Sequence, residues 1–203
     1  MLSRNGVCFY IGDFNPPTRY HLDVAKWLSN KENITEVCIV LGKNTPGEIS
    51  QQQKADLWDI FFKTEPTFGL RYHKAKNANS MVEVYNLLSE QPDMVCHLAL
   101  DEKAAKNKKL SEYFEPFQNY EIEIIPSQYR QKSKKMMDAF LNGDKNIFNT
   151  MLPLTCSKDQ QKRSWEIMEQ SSKKEDNESY DELTERYANM FSDGFWKTVL
   201  KLK

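Results

Sequence analysis

The feature that most limits what this chain can become is an alternation. Short apolar runs at residues 7–11, 36–41 and 94–100, with a weaker strand pattern at 68–72 and a last one at 120–125, take turns with segments of helical period. The run at 36–41 is continuously apolar after its first residue, as in strands buried on both faces of a parallel sheet. Between the runs, Leu22, Ala25, Trp27 and Leu28 mark one amphipathic helix. Ala55, Leu57, Trp58, Phe61 and Phe62 mark a second, with Ser50 as its N-cap. Val82, Val84, Tyr85 and Leu88 mark a third, opened by Ser80 and broken at Pro92-Asp93. A Lys-rich helix is expected over 104–114. Strands and helices that alternate five times with short connections predict an α/β fold. The sheet is doubly wound, five-stranded and parallel, and its ligands lie at the carboxyl ends of the strands. No internal repeat is present, and no G-x-G-x-x-G suggests a nicotinamide cofactor.

Composition narrows the class further. The formal net charge of -1 gives the chain as a whole no electrostatic reason to seek nucleic acid or an anionic membrane. No apolar run approaches the roughly 20 residues of a membrane span, and no basic segment followed by a long apolar one opens the chain, so a soluble cytoplasmic protein is expected. Cys8, Cys38 and Cys96 each lie in an apolar run, and Cys156 follows a helix end. Their spacings do not suit zinc, and His97 projects from the strand face opposite Cys96. Buried, reduced thiols and no metal site are therefore expected.

The stretch from Tyr10 to His21, Tyr-Ile-Gly-Asp-Phe-Asn-Pro-Pro-Thr-Arg-Tyr-His, carries the chemistry. An apolar strand stops at Gly12, passes a loop stiffened by Pro16 and Pro17, and re-emerges as a helix. Such a loop presents backbone N–H groups. At the start of the next helix these and the helix dipole favour an anion, with Thr18 and His21 one turn apart as phosphate donors. The same strand, loop and helix are also common in α/β proteins that bind no phosphate.

The spacing Gly12-x-Phe14-x-Pro16-x-Thr18-x-x-His21 resembles the G-x-F-x-P-x-[HT]-x-G-H signature of the nucleotidylyltransferase superfamily. The resemblance implies a Rossmann-like sheet and a nucleoside triphosphate, ATP or CTP, bound with Mg²⁺. It assigns Thr18 and His21 to the phosphates as catalytic residues. Gly12, Asp13, Phe14 and Asn15 form the turn that holds the nucleotide, and Tyr20 stands where the family has Gly.

A second resemblance covers Gln131 to Asp144, with Phe148 and Met151-Leu152-Pro153. It is similar to the family's closing segment, I-S-x-[ST]-x-x-R-x-A-L-x-x-G-D, in the versions of phage-encoded adenylyl- and cytidylyltransferase-like proteins. Aligned on Ala139, Gly143 and Asp144, the family's Ser falls on Lys132, its Ser/Thr on Lys134 and its phosphate-binding Arg on Met137. Lys132, Lys134 and Lys135 then either neutralise a triphosphate, Lys134 in a catalytic role, or form a solvated basic helix end. Ser133 caps that helix in both cases. The turn the family builds as Gly-Ser-Asp corresponds to Ala99-Leu100-Asp101, where Asp101 contacts substrate or caps a helix. Lys43 is a lesser candidate.

The resemblance covers about residues 5–153 and implies transfer of a nucleotidyl group to a small phosphorylated acceptor with release of pyrophosphate. The alternative is a degenerate member of the fold that serves as a nucleotide-binding or interaction module, since Tyr20, Leu100 and Met137 occupy contact positions.

The sequence divides into an α/β domain over 1–153 and a helical extension over 154–203, with a polar linker at about 171–181. Leu183, Tyr187, Met190, Phe191, Phe195, Trp196 and Val199 mark an amphipathic helix. It folds back on its own domain or docks on a protein partner or second copy. Single-stranded nucleic acid is disfavoured, because the lysine clusters at 103–109 and 132–135 are not interleaved with aromatics.

Overall fold

In a computed structural model the described residues are 6–12, 14–43, 48–66, 68–76, 80–91, 93–106, 114–117, 119–127 and 133–172. The strands are β1 (Gly6–Gly12), β2 (Ile34–Leu41), β3 (Leu70–Lys74), β4 (Cys96–Leu100) and β5 (Tyr120–Ile124). The helices are α1 (Arg19–Ser29), α2 (Gln51–Thr64), α3 (Ser80–Glu90), the single turn α4 (Glu102–Ala105), α5 (Ser133–Leu141), α6 (Lys145–Thr150) and α7 (Lys158–Ser172).

All neighbouring strands are parallel, in the order β3-β2-β1-β4-β5. The order reverses at β1, so the crevice at a topological switch point opens between the carboxyl ends of β1 and β4. This is the α/β sheet that the alternation predicts.

Each central strand serves two cores, because successive side chains point to opposite faces. Cys8, Tyr10, Val37, Ile39, Leu41 and Ala99 pack with residues of α1, α2, α5, α6 and α7. Phe9, Cys38, Val40, Cys96, Leu98 and Leu100 pack with Val84 and Leu88 of α3 and with Phe114.

Local chemistry sets the helix starts. Ser50 Oγ accepts from Gln53 N at 3.1 Å while Gln53 Oε1 accepts from Ser50 N at 2.8 Å, a capping box that opens α2. Asp144 Oδ1 accepts from Ile147 N at 2.9 Å and opens α6. Before it, Gly143 takes φ +71, the left-handed turn that a helix C-terminus favours.

The chain forms two compact units, Met1–Met168 and Glu169–Lys203. Trp165, Ile167 and Met168 of α7 are buried in the α1-side core, and Gln53 Nε2 donates to Ile167 O at 2.5 Å. Three large apolar side chains on one helix suffice to draw most of α7 into the first unit. The linker at 171–181 falls almost wholly, and the helix expected over 183–200 entirely, outside the described residues. So do 107–113 of the Lys-rich helix. No helix among the described residues is long and apolar enough to cross a membrane.

All four cysteines are free and buried. Burial pushes the Cys38 and Cys96 thiols up to about 12, and raises Cys8 further with help from the nearby Glu123 carboxylate. A disulfide-exchange reagent at pH 8 should therefore leave the native thiols unmodified and titrate four in urea. Stability should fall as pH rises from about 9 toward 12, where the unfolded chain releases thiol protons that the folded chain retains. In urea titrations, Ile167→Ala should cost about 2–4 kcal/mol, the range for a buried aliphatic truncation. A loss below about 1 kcal/mol would show that α7 is not part of this core.

Candidate active site

β1 delivers the elbow into the crevice, and the first thing the loop does is bury a ring. Phe14 takes φ +46 and is 1% exposed. Its ring meets Tyr10, His21 and Trp58 edge to face at centroid distances of 5.1, 5.2 and 5.7 Å. A Cβ at Gly12 would stand 3.1 Å from Phe14 Cζ, so the absent side chain makes room for this ring. The glycine that the sequence assigns to a nucleotide is first required by packing.

The loop is then tied on three sides. Asn15 Oδ1 accepts from Ile49 N at 3.0 Å, joining it to the segment before α2. Ser133 Oγ donates to Pro16 O at 2.8 Å, joining it to the first residue of α5. Arg19 N donates to Met151 O at 2.7 Å, which uses an amide at the N-terminus of α1. The Asn15–Pro16 peptide is cis, and both prolines are buried.

Thr18 and His21 are brought together and sealed. Both are 0% exposed. His21 Nδ1 accepts from Thr18 N at 2.8 Å and lies 3.0 Å from Thr18 Oγ1. An imidazole nitrogen that accepts a backbone N–H carries no proton, so the neutral ring holds its hydrogen on Nε2. That is the tautomer that can donate to a phosphate oxygen. In this conformation the ring also serves as the N3 partner of a helix cap and as a wall for Phe14.

The three substituted positions behave differently. Leu100 is 4% exposed and belongs to the α3-side core, so its bulk is spent in packing. Met137 is partly buried against the α1-side core, where no guanidinium can take its place without desolvation. Tyr20 is half-buried, its hydroxyl accepting from Arg19 Nη2 at 3.1 Å.

Asp101 is exposed, and its Oδ1 accepts from Ala104 N at 2.7 Å as the N-cap of α4. Lys134 and Lys135 lie exposed in the first turn of α5, and Lys43 lies exposed just beyond β2. Asp13 and Lys132 fall outside the described residues. The sequence reading passes over Arg19, half-buried inside the elbow, and weighs the exposed Lys103 and Lys106 after β4 for nucleic acid alone. The signal for Arg19 was available: a cation next to Thr18.

Solved structures share this sheet order and overall α/β fold. No family model matches the chain, and no curated protein matches it. The Plasmodium falciparum nicotinic acid mononucleotide adenylyltransferase complexed with NaAD superposes with a TM-score of 0.54 at 14% identity. The match covers 72% of this chain and 94% of that one. A nicotinate-nucleotide adenylyltransferase structure from Vibrio parahaemolyticus gives 0.52 at 16% identity, over 68% and 88%. A bifunctional NMN adenylyltransferase/ADP ribose pyrophosphatase from Francisella tularensis gives 0.51 at 15% identity, over 68% of this chain and 43% of that one. At these identities the likeness is one of fold.

Because its imidazole is structural, His21→Ala should lower unfolding free energy by about 2–3 kcal/mol, through the lost cap acceptor and the cavity beside Phe14. A change under about 0.5 kcal/mol in urea denaturation would show that the ring does not hold the elbow.

Proposed function

We propose that this chain binds a nucleoside triphosphate, ATP or CTP with Mg²⁺, on the carboxyl edge of its sheet, and that nucleotidyl transfer is lost or vestigial. The observation that carries this reading is the closed Thr18–His21 cap beside an edge that still displays cations. A phosphate chain lying over the elbow would meet Arg19, Lys134, Lys135 and Lys43, whose charge favours a polyanion whatever its base. Transfer asks more than attraction. It needs fixed donors aimed at the charge that develops at the α-phosphate, each worth about 3–4 kcal/mol. Here Thr18 and His21 are engaged with each other, and Met137 replaces a guanidinium with an apolar chain.

Mg²⁺ fits such a site as a passenger on the phosphates. Among the described residues the carboxylates that follow β4 are Asp101, one oxygen of which caps α4, and Glu102, which pairs with Lys106, so these two offer no ready cage. When bound, the ion would neutralise phosphate charge, and the chain's own cations would orient the outer phosphates.

A transferase reading is favoured by one observation, the Nε2–H tautomer of His21, which an opening of the elbow would present to the α-phosphate. The acceptor would then be a small phosphorylated molecule attacking in line, with pyrophosphate leaving.

Isothermal titration with ATP-Mg²⁺ and CTP-Mg²⁺, followed by a pyrophosphate-release assay over phosphorylated acceptors, separates the readings. Binding that weakens several-fold in Lys134→Ala/Lys135→Ala, without release above background, is the expected result. Release that disappears in Thr18→Val would establish the transferase instead. Absence of binding to either nucleotide would leave the fold as an interaction module.

A further inference from the structure

At the far end of the sheet from the elbow, a buried imidazole faces two carboxylates. His97 is the second residue of β4 and is 0% exposed. In the β4–β5 register it stands beside Glu121, while Ala99 stands beside Glu123. Glu121 and Glu123 are two apart on β5 and share the sheet face of His97. The small Ala99 side chain leaves Glu123 room to lean toward the ring. His97 Nδ1 lies 3.2 Å from Glu123 Oε1 and 3.6 Å from Glu121 Oε2. Yet among the described residues neither ring nitrogen has a hydrogen-bond partner. A fully buried polar side chain left so is uncommon in a folded protein and calls for an ion or water that completes it.

We propose that His97, Glu121 and Glu123 form a binding site for a first-row divalent cation, Zn²⁺ in the first instance. The three side chains offer ligand atoms that all lie within 4.8 Å of one another. Zinc bound at about 2.1 Å to nitrogen and oxygen in tetrahedral geometry separates its ligands by about 3.4 Å, and the two observed distances fall on either side of that value.

The surroundings suit the ion. Lys31, in the turn after α1, holds Glu123 Oε2 at 2.7 Å and leaves Oε1 facing the imidazole, the outer contact that orients a metal-binding carboxylate. Glu121 has a side chain 61% exposed, which opens the fourth position to water. One imidazole with two carboxylates favours Zn²⁺ or its neighbours over Mg²⁺ and Ca²⁺, which prefer all-oxygen shells. A bound ion would tie the edge strand β5 to β4. The site stands apart from the carboxyl edge and does not rest on the nucleotide reading.

The test uses the full chain freed of metal by chelation, with calorimetric titration of Zn²⁺ and the visible spectrum of the Co²⁺ form. One equivalent per chain is expected, undisturbed by excess Mg²⁺, with a Co²⁺ spectrum that lacks thiolate charge transfer. His97 is a core residue, so the deciding variant is Glu121→Gln at an exposed position. It should remain folded by circular dichroism and lose affinity tenfold or more. Equal Zn²⁺ binding by the wild type and Glu121→Gln, a thiolate band, or no stoichiometric binding would each overturn the site.

Discussion

The structure depends on one ring. Phe14 leaves the loop with a backbone conformation that L-residues seldom adopt and lodges among Tyr10, His21 and Trp58, residues contributed by β1, α1 and α2. A Cβ on Gly12 would stand 3.1 Å from the ring, so its absence gives the ring room. With the ring in place, Thr18 and His21 close as a cap and α1 leaves at a fixed angle. Asn15, Pro16 and Arg19 then reach the segments that α2, α5 and α6 bring to the same edge. The elbow is a junction of the α1-side core before it is anything else.

That priority accounts for the mixed character of the site. Residues that the motif shares with nucleotidylyltransferases serve packing and capping here as well as any ligand, so their presence supports the fold more strongly than the reaction. The described groups that remain outward are cations on flexible stems, Lys43, Lys134 and Lys135, while Arg19 is half-buried against Tyr20. Such groups attract a polyanion without fixing it. An attraction of that kind suits holding a nucleotide better than cutting one.

Much of the fold was legible in the sequence, for local reasons. Apolar runs marked β1, β2 and β4, and Ser50 marked the start of α2. The extent of the first unit was less legible, because α7 is polar by composition and only Trp165, Ile167 and Met168 reveal its buried side. At the site, residue types were readable and their allegiance was not. Leu100 reads as an obstruction beside a ligand, yet it faces the α3-side core. Asp101 fits a substrate contact or a cap, and its Oδ1 caps. Least visible were partners joined only by strand register. Nothing in the spacing of His97, Glu121 and Glu123 announces that β4 and β5 lie side by side.

The strand order also governs when the protein can come together. β1 is the middle strand, yet its partner β4 is more than eighty residues away, with Val7 against Cys96 and Tyr10 against Ala99. During synthesis Cys8, Phe9 and Tyr10 are made well before β4, and one flank of their strand stays unpaired until more than eighty further residues have followed. Contacts of such long range close slowly, because the intervening loop must first be gathered at an entropic cost. The nascent chain therefore carries an apolar, half-formed sheet until β4 follows, which makes assembly a stage exposed to aggregation.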